Sequence, residues 1–296
     1  MKKLIFLIIF LFNNTTHARL RVITSMEQIA SVINEIGGDK VALELIERDK
    51  LKSSDKIYRS ELISNLDSTN LLVINGFSGE ESLLPALVGA SKNSDIQEGK
   101  SRNLNLGTFI KSVKNESIVF KDGKTISTST ENNPFYLLDP QNVIDISDII
   151  ANKLSQLDFK NRSHYLARSQ LFKDQLSARM VSWTRRLNKV PNKKIFTSNN
   201  SYNYFLYRFG FESIEISENS ETSQNKLSET ISLIIDSGNI QTMLVKSLPL
   251  NNHLLETVLK SKSIHIKTVD LTKNENATIL SYFGVLESLV RAIEKQ

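Results

Sequence analysis

An alternation of strand-like and helix-like segments runs through this chain twice, and it limits the fold more than any other feature of the sequence. The strand-like segments of the first half are residues 19–25, 40–48 and 70–77. Two amphipathic helices, at 26–38 and 59–69, lie between them. The run NLLVINGF at 70–77 is apolar until it ends at Asn-Gly, as expected of a strand buried on both faces. This order predicts a parallel α/β layer.

The second half repeats the same alternation. Four segments are typical of strands, namely residues 193–199, 212–217, 240–245 and 264–270. Helices are predicted at 201–210, 224–238, 252–261 and 279–296. The repeat predicts a second α/β lobe.

Two helices separate the lobes. Asp139-Pro140 is a helix start, because Asp caps free backbone N–H groups and Pro is tolerated in the first turn. A helix over 141–157 follows, and a longer one over 161–189 carries a single apolar stripe: Tyr165, Phe172, Leu176, Met180, Trp183 and Leu187. We therefore predict an N-terminal lobe over 19–140, linking helices over 141–192 and a C-terminal lobe over 193–296. The long helix acts as a rigid strut between the lobes.

Residues 91–133 differ from this pattern. The segment is polar and contains strand-like stretches on either side of a turn at 121–124. We interpret it as a peripheral excursion or mobile loop of the first lobe.

The N-terminus predicts export. Two lysines, nine apolar residues and a polar stretch ending in Thr-His-Ala make residues 1–18 typical of a signal peptide, and the apolar run is too short to span a bilayer. The chain has no cysteine, so it has no lipid anchor, disulfide, thiol nucleophile or Cys-based zinc site. We expect a periplasmic protein that is a monomer.

The charge and the motifs argue against two classes of function. The formal charge of +5 is spread among acidic residues without a basic run, which disfavours nucleic-acid binding. No Gly-x-Ser-x-Gly, phosphate loop or His-Glu-x-x-His is present, so we do not expect an enzyme.

Four segments together resemble one family. They are LRVITSMEQIASVINEIGGDKV, NLLVINGFSGEE, NPFYLLDPQN and FTSNNSYNYFLYRFGF. In order and spacing they resemble the extracytoplasmic metal-binding subunits of zinc and manganese ABC importers, over nearly the whole mature chain. The resemblance implies two lobes with parallel sheets joined by one long helix, a Zn²⁺ or Mn²⁺ ion held in the cleft, and an ABC permease as partner. The implied ligands are three imidazoles, or two and a carboxylate, plus an acidic group.

Most of the family's ligand positions hold other residues here. Lys56, Phe135 and Asn199 stand where the resemblance implies imidazoles, and Lys246 stands where some members have Glu. Asp270 is the one retained metal-ligand candidate. His17 lies in the signal peptide, and we read His164, His253 and His265 as ordinary histidines.

The altered site leaves several hypotheses open. Lys56 and Asp270 would form an ion pair if both face the cleft. Tyr58, Tyr136 and Tyr202 would line a more apolar cleft together with Phe135, or all four are core residues beside a filled site. The chain would then be a metal importer subunit with replaced ligands, or a scaffold reused for a non-metal solute, an anion or a protein partner. No certain cofactor follows, and Zn or Mn applies only if metal binding is retained.

Overall fold

The structure is a computed structural model, and it describes residues 18–52, 55–77, 83–110, 116–121, 124–129, 133–216, 229, 231–235, 240–246, 248, 250, 253–271 and 281–295. The signal peptide, apart from residue 18, and most of the predicted helix over 224–238 lie outside these residues. No helix in the described ranges is long and apolar enough to cross a membrane.

The described strands and helices follow the alternation that the sequence predicts. The strands are β1 Leu20–Thr24, β2 Val41–Leu45, β3 Leu71–Ile74, β4 Asn103–Asn105, β5 Glu116–Lys121, β6 Lys124–Ser129, β7 Lys194–Thr197, β8 Glu212–Ile216, β9 Thr242–Val245 and β10 His265–Thr268. The helices are α1 Glu27–Gly37, α2 Arg48–Lys52, α3 Lys56–Asp67, α4 Leu84–Ala90, α5 Pro140–Leu157, α6 Arg162–Leu187, α7 Asn203–Arg208, α8 His253–Ser261 and α9 Tyr282–Glu294.

The first sheet is parallel, with the strand order β2-β1-β3-β4. Its apolar strand residues alternate between two buried clusters, because successive side chains point to opposite faces. Val22 and Val73 join the cluster that contains α1 and α5, whereas Ile23 and Leu72 join the cluster beneath α3 and α4. After β3 the chain turns at Gly76, whose φ of 86° suits glycine.

The second sheet has the order β10-β9-β7-β8-β5-β6. Strands β10, β9, β7 and β8 are parallel, and β5 adds in parallel to β8. Strands β5 and β6 pair antiparallel, with Lys121 opposite Lys124, as the strand-like stretches on either side of the predicted turn indicate, whereas residues 122 and 123 of that turn lie outside the described residues. The interpretation of residues 91–133 as a peripheral excursion of the first lobe is wrong for this hairpin, because β5 and β6 extend the sheet of the second lobe. Without it, β8 would present an unpaired edge.

Helix α6 spans 26 residues and forms the predicted strut. Its stripe is confirmed: Tyr165, Phe172, Leu176, Trp183 and Leu187 are buried, and Met180 packs against them half-buried. The helix packs against α5, α1 and α9. It therefore contacts the first lobe through α1 and the end of the chain through α9.

One hydrophobic core crosses both lobes. A single cluster contains Val22 of the first sheet, Leu244 of the second sheet, Leu176 of α6 and Tyr282 of α9. A separate cluster covers the outer face of each sheet. The described lobes therefore share buried side chains rather than meeting only at polar surfaces.

Candidate functional site

The candidate site lies where the carboxyl ends of parallel strands meet the segment 133–139. Ligand sites of α/β proteins commonly occupy this edge. Phe135 belongs to this segment, and Asn199 and Asp270 follow the carboxyl ends of β7 and β10. The structure brings these three positions to one region, whereas Lys56 begins helix α3.

Segment 133–136 is held from both lobes by buried and partly buried hydrogen bonds. Asn133 donates from Nδ2 to the carbonyl of Asn200 over 2.8 Å, and its Oδ1 accepts from the N–H of Phe135 over 2.9 Å. From the first lobe, Asn75 donates to the carbonyl of Pro134 over 2.9 Å. The Tyr136 hydroxyl donates to the Asn75 carbonyl over 3.0 Å. The Phe135 side chain is half-buried against the shared core.

Asp139 confirms the predicted helix cap and adds an ion pair. Its Oδ1 accepts from the N–H of Gln141 over 2.9 Å, and Pro140 is the first residue of α5. Both carboxylate oxygens also accept from the Arg208 guanidinium, over 2.6 and 2.7 Å. These bonds raise the pKa of Arg208. The pair joins the start of α5 to the end of α7.

Asn199 uses its side-chain oxygen within its own turn. Oδ1 accepts from the N–H of Ser201 over 2.9 Å and caps the short 3-10 turn that follows. Tyr202 at the end of that turn is buried, and its hydroxyl donates to the carbonyl of Val269 over 2.9 Å. Burial, with a smaller contribution from the charge of Asp270, raises the pKa of Tyr202. Asp270, half-buried, therefore lies near this tyrosine.

Three of the remaining predicted cleft residues border this group. Tyr136 lies in the segment 133–139, the Tyr202 hydroxyl bonds to Val269, and Lys246 follows Val245, whose carbonyl accepts from the N–H of Val269 over 2.9 Å. Lys56 and Tyr58 belong to helix α3. Lys56 is exposed, and none of the ion pairs between described residues joins it to Asp270, so the hypothesis of that ion pair finds no support. Tyr58 packs with the α3 side of the first sheet, where its oxygen accepts from the N–H of Glu47, so it is separated from Tyr136 and Tyr202. Lys246 follows β9 and is exposed. Tyr136 and Tyr202 are core residues.

The described histidines belong to other elements than the segment 133–139 and the turns that carry Asn199 and Asp270. His164 is in the first turn of α6, where its Nε2 is 3.2 Å from the carbonyl of Gly37. His253 begins α8. His265 begins β10, whereas Asp270 follows the opposite end of that strand, roughly 15 Å away at the rise of a β-strand. None of the described histidines stands at a position where the resemblance implies an imidazole.

The side chains at the site are a poor donor set for a transition metal. A phenyl ring has no lone pair, a protonated lysine only donates, and the Asn199 oxygen is already used by its turn. Asp270 supplies one carboxylate. Among the described residues, no three His, Cys, Asp or Glu side chains come close enough to hold an ion.

Sequence reasoning missed two residues that build the site. Asn133 ties the segment to the second lobe, and Arg208 pairs with Asp139. Arg208 had a signal, since it stands within the YRFG stretch that resembles the family. Asn133 had no comparable signal in the sequence, apart from its position directly before Pro134.

The comparisons with known proteins agree with this geometry. Residues 22–296 match the family model described as zinc-uptake complex component A periplasmic. A crystal structure of ZnuA is 17% identical, with a TM-score of 0.71, covering 94% of this chain and 99% of that chain. The Zn(II)-bound mutant variant of AdcAII from Streptococcus pneumoniae is 20% identical, with a TM-score of 0.70, covering 93% of this chain and 100% of that chain.

A third structure carries another metal. The solute-binding protein FpvC from Pseudomonas aeruginosa in complex with Mn²⁺ is 19% identical, with a TM-score of 0.67, covering 94% of this chain and 99% of that chain. At these identities, the similarity to the three structures shows a shared fold.

Proposed function

Because the chain belongs to the family of periplasmic A components of zinc-uptake complexes, we propose that it is an extracytoplasmic solute-binding protein whose cleft no longer holds a metal ion through imidazoles. The family is one of solute-binding proteins and not of enzymes. An ABC permease is the partner that such a role requires. Export by residues 1–18, and action as a monomer without a lipid anchor, belong to the same proposal.

The replacement at position 135 carries the proposal. Phe135 stands where the resemblance implies an imidazole, and hydrogen bonds from both lobes fix its segment. The scaffold around the ligand position is therefore retained while the donor atom is lost. The amide of Asn199 is committed to its turn in the same region. One carboxylate, from Asp270, would hold Zn²⁺ or Mn²⁺ weakly.

A second candidate is a scaffold reused for an anionic or other non-metal solute, or for a protein partner. This candidate is supported by a change of charge at two ligand positions of the family. Lys56 stands where the resemblance implies a neutral imidazole, and Lys246 stands where it implies a carboxylate. Both lysines are exposed, and neither forms an ion pair within the described residues. Two cations at such positions favour an acidic ligand over a metal cation.

Metal content and melting temperature test the proposal. The mature chain is purified from the periplasm of an expression host without chelator, its metals are measured by mass spectrometry, and it is melted with and without added Zn²⁺ or Mn²⁺. We expect less than about 0.1 metal per chain and no shift, because only a ligand that binds the folded state raises the melting temperature. About one metal per chain with a shift of several degrees would overturn the proposal.

A matched variant provides the positive control. The triple substitution Lys56→His, Phe135→His and Asn199→His restores imidazoles at the three positions. If the scaffold is intact, this variant gains a Zn²⁺-dependent increase in melting temperature that the parent lacks. A gain in the variant alone supports loss of the donors as the reason for the parent's behaviour. Failure of the variant to bind Zn²⁺ would instead contradict the assignment of these positions.

A further inference from the structure

An open cavity of about 580 Å³ borders the first sheet at strand β4. It lies between β4, the turn after it and the second half of α5. Four amide side chains and one exposed aromatic ring contribute to its lining: Asn103, Asn105, Asn152, Gln156 and Phe109. Phe109 is 53% exposed although the residue beside it packs against the core. Cavities of this size commonly bind ligands.

Strand β4 is the last strand of its sheet in the part of the chain that the structure describes. It pairs with β3 so that the N–H of Leu72 donates to the carbonyl of Arg102. In a parallel ladder every second residue bonds to the same neighbour. Leu104 therefore bonds to β3, and the backbone groups of Asn103 and Asn105 point to the open edge.

Two of these four edge groups are already used locally. The N–H of Asn103 donates to the carbonyl of Lys100 over 3.1 Å. The carbonyl of Asn105 accepts from the hydroxyl of Thr108 over 2.8 Å. The edge is left with the carbonyl of Asn103 as an acceptor and the N–H of Asn105 as a donor.

We propose that this edge binds an extended peptide segment of a partner protein, which pairs in parallel with β4 and places its side chains in the adjoining cavity. In a parallel pair, one residue donates to the residue before its neighbour and accepts from the residue after it. One residue of an incoming strand opposite Leu104 satisfies both remaining groups in this way. Addition of a strand to an exposed edge is a common mode of peptide recognition.

The same accounting excludes a second copy of β4 as a parallel partner. One residue of a parallel partner needs both a free N–H and a free carbonyl, whereas the Asn103 N–H and the Asn105 carbonyl are engaged. An antiparallel second copy would match the two free groups, so the oligomeric state of the chain is one outcome of the test. The charge near the cavity favours a segment with acidic residues, since Lys100 and Lys153 line the cavity against Glu98. Phe109 offers an apolar surface for one side chain. The proposal concerns a site separate from the cleft and does not depend on which solute the cleft binds.

Two substitutions of Asn105 distinguish the contribution of its backbone N–H to peptide binding from the contribution of its side chain. Asn105→Pro removes the donating N–H, and the residue's φ of −88° is close to the proline range. Asn105→Ala keeps the N–H but loses the side-chain oxygen that accepts from the N–H of Gly107. Neither variant breaks a β3–β4 ladder bond, so both are expected to fold.

The probe is a random heptapeptide phage library selected against the mature wild-type chain, followed by synthesis of the enriched peptides. We expect acidic and apolar peptides that bind wild type, bind Asn105→Ala within about twofold, and bind Asn105→Pro about tenfold more weakly. Lys100→Glu should weaken them as well. If Asn105→Pro does not melt cooperatively, peptides N-methylated at single positions decide the test on wild type, and one position should lose about tenfold.

Four results would overturn the proposal. The library yields no enriched peptide, or the peptides bind all three forms of residue 105 alike, or N-methylation has no effect at any position. A wild-type chain that dimerises in sedimentation while Asn105→Pro stays monomeric would show a second copy on the edge instead.

Discussion

Asp139 combines two tasks that a neutral side chain performs only in part. Its carboxylate caps α5 at Gln141 and binds the Arg208 guanidinium with both oxygens. The carboxylate is almost fully buried, whereas about a third of the Arg208 side chain is exposed. A buried carboxylate with two charge-assisted bonds contributes more than a surface ion pair.

Asp139→Asn should destabilise the fold. Asparagine retains the cap but loses the charge, so we expect the free energy of unfolding to fall by about 2 kcal/mol. Urea unfolding at neutral pH measures the change. Asp174→Asn is the control, because Asp174 is an exposed acid on α6 and its loss should cost under about 0.5 kcal/mol. Equal losses in the two variants would show that the Arg208 pair contributes nothing.

Local features of the site could be predicted from sequence, whereas distant pairings could not. The Asp139-Pro140 cap is a signal between neighbours, and the structure confirms it. The partners of Asp139 and Asn133 lie 69 and 67 residues away. No periodicity links such positions, so only the folded chain reveals them.

Among the elements, α6 and α9 are joined by a cluster of buried and half-buried polar groups. Glu287 accepts from the indole of Trp183 over 2.8 Å and from Arg186 over 3.0 Å. Arg186 also binds Glu294 with two bonds of 2.7 and 2.8 Å. The bonds from Arg186 lower the pKa of Glu294. Burial would raise the pKa of Glu287, but the donors around it outweigh burial and lower it.

These lowered pKa values predict acid-sensitive docking of α9. The folded glutamates bind protons less readily than the unfolded ones, so their contribution is complete above the ordinary value of 4.5 and is lost as the pH falls through the folded pKa values. We expect the melting temperature to fall below about pH 4.5. Arg186→Met should lower it at neutral pH and reduce its fall between pH 7 and pH 3. Differential scanning fluorimetry across this range measures both effects.

Arg291→Ala is the control for this prediction. Arg291 also binds Glu287, but its side chain is 68% exposed, so its removal should change the acid dependence much less. A wild-type melting temperature that is constant from pH 7 to pH 3 would contradict the prediction.

The sequence predicts the elements more reliably than their partners. The stripe of α6 follows helical spacing, and its burial is confirmed. The hairpin β5–β6 is predicted as a turn, but its addition to β8 is not, because strand-like residues carry no sign of which sheet they extend. A free sheet edge in the folded molecule decides that choice.

At the scale of the whole molecule, the shared core couples the lobes. Side chains from both sheets, α6 and α9 belong to one buried cluster, and Gln28 of α1 donates to the carbonyl of Leu271 after β10 over 3.1 Å. Separation of the lobes would expose apolar surface on each. The two-lobe architecture could be predicted from the alternation in the sequence, whereas the continuity of the core requires the packed structure.

We therefore expect one cooperative unfolding transition. Trp183 is the single tryptophan, is buried in α6 and reports on the strut, while far-UV circular dichroism reports on both lobes. Urea titrations followed by the two signals should coincide within error. Two separated midpoints would mean that one lobe unfolds independently and that the shared core is not cooperative.

The hairpin β5–β6 is synthesised long before the strand with which it pairs in the folded protein. Residues 116–129 emerge before either linking helix, yet their neighbour β8 lies at Glu212–Ile216, about 90 residues later. Along the chain, two strands of the second sheet therefore come first, α5 and α6 follow, and the other four strands of that sheet come last. A fragment that ends before residue 212 contains this hairpin but not the strand with which it pairs. The two halves of the chain are therefore interleaved, and neither half holds all of the second sheet.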